Sequence, residues 1–224
     1  MLAGLQELIQ ESFPIYNELT PEQQVALVNR TQPIQYKAGD HIHRAGSECI
    51  GAILLLTGSL RAYMLSERGK EITLFRVNAG ESCVLSAACV LHLITFDIYL
   101  DATTDVKLLA IDSGFYSKLL TENPHVEAFT YRQTAERFSD VMWVMQQVLF
   151  MSFDKRLAVF LLDETSRVNS DVLHTTHDEI AKHMGSAREV VSRMLKYFEK
   201  EGMVHIHRGS IEIINRKKLH ELAA

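Results

Sequence analysis

The stretch Thr176-His177-Asp178-Glu179-Ile180-Ala181-Lys182-His183-Met184-Gly185-Ser186-Ala187-Arg188-Glu189-Val190-Val191-Ser192-Arg193-Met194-Leu195 decides the reading of this chain. It holds two capping-box patterns, a hydroxyl residue followed three positions later by a carboxylate, at Thr176/Glu179 and Ser186/Glu189. In each, the hydroxyl accepts from an orphan helix N–H and the carboxylate reaches back to the cap. Two such boxes ten residues apart predict two short helices with a tight turn, and Gly185 falls in that turn. Ala181 is small enough for a second helix to cross close by, and Gly185 can adopt the left-handed turn conformation. Val191, with Ile180, Met184 and Leu195, fills the space between the helices. Beyond them, Val204-His205-Ile206-His207 and Ile211-Glu212-Ile213-Ile214 flank Arg208-Gly209-Ser210, an alternating hairpin with a glycine turn. Together these predict a helix-turn-helix followed by a wing.

Working back toward the amino end, the pattern changes twice. From Glu127 to Met151 there is neither Gly nor Pro, so a long helix is predicted, opened by Asn123-Pro124. Thr134, Phe138, Val141, Met145, Val148 and Ser152 follow a 4-3-4-3-4 spacing. That spacing draws an apolar seam of the kind a two-stranded coiled coil needs, although a helix packed on its own domain would carry a stripe too. Between Pro33 and Ile111, Gly39, Gly46, Gly58, Gly69 and Gly80 recur at intervals of 7, 12, 11 and 11. The runs between them are short and apolar, such as Ile50 to Leu56 and Ile72 to Val77, the rhythm of an antiparallel barrel or sandwich. Glu67-Arg68-Gly69-Lys70 reads as a hairpin turn. The leading segment up to about Asn29 reads as helical, with an entry signal at Thr20-Pro21-Glu22-Gln23.

The expected fold is therefore α+β. An antiparallel, jelly-roll-like β-roll occupies residues 1–121, a long dimerisation helix 122–152, and a winged helix-turn-helix domain 153–224. The 224 residues suffice for two modest cores. Net charge is −5, yet residues 1–153 carry 11 basic and 17 acidic side chains while residues 154–224 carry 12 and 11. Only the last third would tolerate a polyanion. No apolar run approaches a membrane span, and no signal peptide is visible at Met1 to Gln10. Three cysteines argue against a disulfide scaffold and for a reducing cytoplasm.

The stretch His177 to Leu195, the glycine-punctuated β-roll and the Asn-Pro opening of a long helix resemble the CRP/FNR regulators over nearly the whole chain. The resemblance implies a homodimer on a palindromic promoter site in double-stranded DNA, working with RNA polymerase. It places Arg188, Glu189, Ser192 and Arg193 where the family reads bases. Arginine can be bidentate to guanine, and glutamate can accept from the cytosine amino group. Ser192 matches the branch resembling FNR and Arg188 the branch resembling the cyclic-AMP receptor, which implies a TGA-containing half-site with open outer bases. Thr176, His177, Ser186, Lys196 and Arg208 are the candidate phosphate contacts. Phe138, Val141, Met145 and Val148 are the candidate dimer contacts.

The effector is a separate question. The family's nucleotide branch follows Gly-Glu with an arginine for the cyclic phosphate. Here Gly80-Glu81 are present, but no arginine lies between Arg76 and Arg132. The paired hydroxyls that meet the nucleotide base are replaced by Val141-Met142. A buried phosphate without its cation is costly, so cyclic AMP is not the expected ligand. The oxygen-sensing branch holds an iron–sulfur cluster on an amino-terminal cysteine group, and this chain has no cysteine before Cys49. The expected pocket comprises Gly80, Glu81, Cys83, Cys89, Val141 and Met142, with Cys83 and Cys89 either a redox pair or buried small hydrophobes. The competing reading is a cupin-like metalloenzyme or redox module using His41, His43 and Glu48. The second cupin motif is absent, and no other grouping compels an enzyme.

Overall fold

A computed structural model describes residues 2–44, 50–83 and 98–224. The chain forms two units, Met1–Met64 with Leu74–Val141, and Leu65–Thr73 with Met142–Ala224.

In the first unit, α1 (Leu2–Ser12), a 3-10 turn (Tyr16–Glu18) and α2 (Pro21–Asn29) precede the strands. The entry signal works as predicted: Thr20 and Gln23 form a reciprocal capping box with Pro21 in the first turn. The strands are β1 (Thr31–Tyr36), β2 (His41–His43), β3 (Ala52–Thr57), β4 (Ser59–Leu65), β5 (Glu71–Asn78), β6 (Ser82–Cys83), β7 (Tyr99–Ala102) and β8 (Val106–Ile111). They form two four-stranded sheets, ordered β1-β8-β3-β6 and β2-β7-β4-β5. The predicted hairpin closes at Ser66–Lys70, where the Ser66 N–H donates to the Lys70 carbonyl and Gly69 has φ of 75°.

The run Ala52–Leu55 is apolar at every position because β3 is buried on both faces. Ile53 and Leu55 join Leu60, Val77, Cys83 and Leu108 in one core. Leu54 joins Leu109, Ile111, Phe13, Leu27 and Tyr116 in the other, beneath the helices. Alternate side chains of a strand point to opposite faces, so one strand serves two cores.

Helix α3 (Ser113–Glu122) leads into α4 (Pro124–Phe150), the long helix, of 27 residues. Asn123 between them is buried, and its side chain serves three segments. Its Oδ1 accepts from the His125 N–H at 2.9 Å, while its Nδ2 donates to the Glu18 carbonyl at 3.1 Å and to Gln23 Oε1 at 2.9 Å. Asn caps the helix and Pro124 supplies a first-turn residue that needs no N–H partner. About two turns further on, Tyr116 and Thr130 share a buried hydrogen bond of 2.8 Å, and burial pushes the Tyr116 phenol up to about 12.

The seam on α4 differs from the sequence reading. Val141 is half-buried against the β-roll core, whereas Tyr131, Ala135, Phe138, Met142, Met145 and Leu149 are exposed. The outward stripe thus keeps the 4-3-4-3-4 spacing but runs one residue off at Thr134, Val141 and Val148, because one face of the helix is already used by the roll. Val148 remains exposed beside it. Ser152 is not on the helix: α4 ends at Phe150, and Ser152 flanks α5 (Phe153–Arg167) as its amino cap.

The second unit continues with β9 (Val172–His174), α6 (His177–His183), α7 (Arg188–Lys200), β10 (Val204–His207), β11 (Ser210–Ile213) and α8 (Arg216–Ala223). Leu157, Leu161, Ile180, Val191, Leu195, Phe198, Ile211 and Leu219 lie in its core. The wing is a sheet ordered β10-β11-β9, so β9 adds a third strand to the predicted hairpin. Its three residues, Val172-Leu173-His174, are too short for periodicity to reveal.

Candidate nucleic-acid interface

Helices α6 and α7 hold the predicted positions. The Thr176/Glu179 capping box is present in both directions, with the Thr176 N–H donating to Glu179 Oε2 at 2.6 Å and Glu179 N–H to Thr176 Oγ1 at 3.2 Å. Partial burial opposes ionisation of Glu179, but hydrogen bonds from Thr176 and Thr175 and the charge of Lys182 outweigh it and lower its pKa. The second predicted box does not form. Helix α7 begins at Arg188 with Ala187 as cap and without a side-chain cap bond. Gly185, at φ of 61°, turns the chain so that the Ser186 N–H donates back to the Ala181 carbonyl at 3.0 Å. Ala187, at φ of −87° and ψ of 144°, then takes the extended capping position that Ser186 was expected to hold. The turn thus ends α6 as a left-handed glycine cap. In the same unit, Ile72 forms an isolated antiparallel bridge to Met184 beside this glycine.

Helix α7 is sharply two-faced. Val191, Leu195 and Phe198 are wholly buried, while Arg188, Glu189, Arg193 and Lys196 are exposed and Ser192 half-buried. All four expected base-reading residues therefore lie away from the buried positions of one helix, as a helix inserted into a groove requires. Arg188 lies 3.5 Å from Asp178, an exposed pair held loosely enough to be exchanged. Ser186 is half-buried in the turn, and Arg208 is exposed at the wing tip beside Gly209.

Between α7 and the wing lies an open cleft of about 300 Å³. Thr176, His177, Asp178, Arg188, His207 and Ser210 are among its lining residues. It brings together two of the expected phosphate contacts, Thr176 and His177, with one expected base reader, Arg188. His207 and Ser210 were not anticipated, although the alternation Val204-His205-Ile206-His207 already put both histidines on one face of β10. Burial lowers the pKa of His177, as do the charges of Arg188 and Lys196, against a smaller opposing pull from Asp178. His207 Nε2 is 3.2 Å from Glu212 Oε2, and His205 Nδ1 is 3.3 Å from Glu199 Oε1. The two imidazoles meet edge to face, with centroids 4.5 Å apart.

The β-roll carries a second polar group. Gly80 sits in the turn before β6, and Glu81 Oε2 lies 3.1 Å from Nη2 of Arg137 on α4. The same guanidinium reaches Asp140 at 3.0 Å and lies over the Phe75 ring, 5.0 Å from its centroid. Its Nε is buried with no hydrogen-bond partner among the described residues. Burial opposes the charge of Arg137, but its hydrogen bonds to Asp140 and Glu81 dominate and raise its pKa. Ser82 Oγ donates to Gln133 Oε1 beside it at 3.2 Å. The guanidinium that meets Glu81 thus comes from the helix and not from the strand. Its signal in the sequence was the position of Arg137 one helical turn before Val141. Cys83 is buried in the core between the sheets; Cys89 lies outside the described residues. Met142 is exposed, and Val141 faces the roll.

Of the residues of the cupin-like reading, His41 and His43 are described. His41 Nδ1 contacts Asp101 Oδ1 at 2.7 Å, and Glu48 lies outside the described residues. Among the described residues no group of three or more His, Cys, Asp or Glu is disposed to hold a metal ion, and no helix is long and apolar enough to cross a membrane.

Comparison with known proteins agrees with this architecture. Residues 155–222 match the model of the Crp-like helix-turn-helix domain. A crystal structure described as a transcriptional regulator of the crp/fnr family from Eubacterium rectale is 40% identical, with a TM-score of 0.92, and the match covers 95% of this chain and 98% of that one. The transcriptional regulator SdrP of Thermus thermophilus is 28% identical over 86% of this chain and 94% of its own. The cyclic AMP receptor protein of the same organism is 25% identical over 94% and 96%. A winged helix-turn-helix and a β-roll in one chain define a DNA-binding transcription regulator rather than an enzyme. The chain belongs to the CRP/FNR family of transcription regulators.

Proposed function

We propose that the chain is a cytoplasmic homodimer that binds a palindromic site with TGA-containing half-sites and acts with RNA polymerase under control of a small anionic effector or a redox signal. The observation that carries the DNA reading is the two-faced helix α7, with Arg188, Glu189, Ser192 and Arg193 away from a buried Val191-Leu195-Phe198 face. Thr176, His177, Ser186, Lys196 and Arg208 supply backbone contacts that position the helix. Dimerisation is supported by the exposed stripe Phe138, Met142, Met145 and Leu149 on a helix of 27 residues. Apolar side chains at heptad spacing on so long an exposed face are the signature of a paired helix.

The effector reading rests on Arg137. Its charge is mostly buried, its Nε has no partner among the described residues, and its carboxylate neighbours, Glu81 and Asp140, are partly exposed. A ligand carboxylate or phosphate would satisfy the guanidinium while releasing one of those acids to water. Gly80 turns the chain beside this group, and cyclic nucleotides are still not the expected class because the paired hydroxyls are replaced by Val141-Met142.

Fluorescence anisotropy with labelled duplexes tests the central claim. A duplex with an inverted TGA repeat should bind at least about a thousandfold more tightly than a scrambled duplex at physiological salt. Equal affinity for both would leave only non-specific binding and refute sequence reading.

A further inference from the structure

The cleft between α7 and the wing combines three cationic or potentially cationic groups from three elements. His177 comes from α6, Arg188 from α7 and His207 from β10. Thr176 and Ser210 add hydroxyls to the same wall. Among the described residues that line it, the only carboxylate is Asp178, already engaged by Arg188. That set of groups recognises a phosphodiester, and two of its members carry charge only when protonated.

We propose that this cleft seats a DNA phosphate together with a proton taken up by His177, so that DNA binding by this regulator tightens as the pH falls below neutrality. The inference rests on the DNA-binding reading above and adds a chemical signal to it.

The charged surroundings decide the direction. Around His177 stand Arg188 and Lys196 from α7 and Asp178 from its own helix. In the free protein partial burial, with the charges of Arg188 and Lys196, lowers the pKa of this imidazole. An arriving phosphate neutralises Arg188 and Lys196 and adds its own negative charge, which reverses the electrostatic part of that bias. His207 faces Glu212 on β11, His205 on its own strand, Arg208 at the turn, and His174 on β9 across from Ser210. Glu199 on α7 engages His205 rather than His207. His207 lines the same cleft and offers the phosphate a second ring nitrogen. His177 then binds more protons in the complex than in the free protein. By linkage, affinity then rises as pH falls.

The measurement is duplex binding by the intact protein at constant ionic strength between about pH 7.5 and 6.5, with the inverted TGA repeat and a scrambled duplex. One proton taken up corresponds to about tenfold in affinity per pH unit, and a dimer has two clefts. The unmodified protein should gain about tenfold or more over that range on both duplexes, because a phosphate contact is indifferent to sequence. The variant His177→Gln should vary by no more than about twofold. The variant His177→Arg should bind at the higher pH about as tightly as the unmodified protein does at the lower, with little pH dependence. Sedimentation at both pH values controls for assembly, and circular dichroism for folding. A pH dependence equal in the unmodified protein and the His177→Gln variant would overturn the proposal, as would flat binding by the unmodified protein. Either result leaves the TGA preference intact, whereas loss of that preference at every pH refutes the DNA reading itself.

Discussion

Replacing Arg137 by Met tests whether the buried guanidinium serves stability or ligand recognition. Met keeps the unbranched stem over Phe75 and removes the charge. Two ion pairs are lost, to Glu81 and Asp140, whose side chains are 42% and 44% exposed. Pairs so accessible to water contribute about 0.2–1 kcal/mol each. The cation over Phe75 adds about 0.5–1 kcal/mol. Against these stands the Nε, buried without a partner among the described residues, at a cost of about 1–3 kcal/mol. The opposing contributions nearly cancel, so Arg137→Met should alter unfolding free energy by no more than about 1 kcal/mol, read from urea denaturation by circular dichroism. Anionic effectors that raise the thermal midpoint of the unmodified protein should lose that effect in the variant. A destabilisation above about 3 kcal/mol would refute this reasoning and make the Arg137 network a structural keystone.

Three other outcomes follow from the geometry. Met142→Glu or Met145→Glu should weaken self-association, because like charges would face each other across the α4 stripe; sedimentation velocity at micromolar protein reads it, and an undiminished dimer would move the interface elsewhere. Arg193→Ala should cost about 1–3 kcal/mol per half-site and relax preference at one guanine, whereas Lys196→Ala should weaken all duplexes alike and flatten the salt dependence by about one unit. Without DNA, the lowered pKa of His177 means that the folded domain binds fewer protons than the unfolded chain just below about pH 6.5. Stability is therefore fully present above that pH and falls as acid crosses the interval down to the folded value. His177→Gln should lose less thermal stability than the unmodified protein between about pH 7 and 5.5, and an equal loss in both would exclude His177 as a source.

The helix-turn-helix was legible because its chemistry is local. Thr176 and Glu179 are three residues apart, and Gly185 needs only its own backbone to turn. The error at Ser186/Glu189 shows the limit of that logic. The capping pattern was present, but the turn at Gly185 had already committed the Ser186 N–H to Ala181. The seam on α4 was readable in period and not in phase. Which stripe faces outward depends on where the roll packs, and Val141 was claimed by the core between the sheets. Arg137 was missed for a like reason: its partner Glu81 is 56 residues away in sequence. The pairing exists only once strand and helix are brought together.

The Asn123 side chain ties the first turn of α4 to Glu18 and Gln23, which anchors that end. At about 1.5 Å per residue, Arg137 sits roughly 20 Å along the helix. Within its own unit the helix is pinned by polar side chains at two points about four turns apart, Asn123 and Arg137, and Asn123→Ala should loosen the first without touching the second.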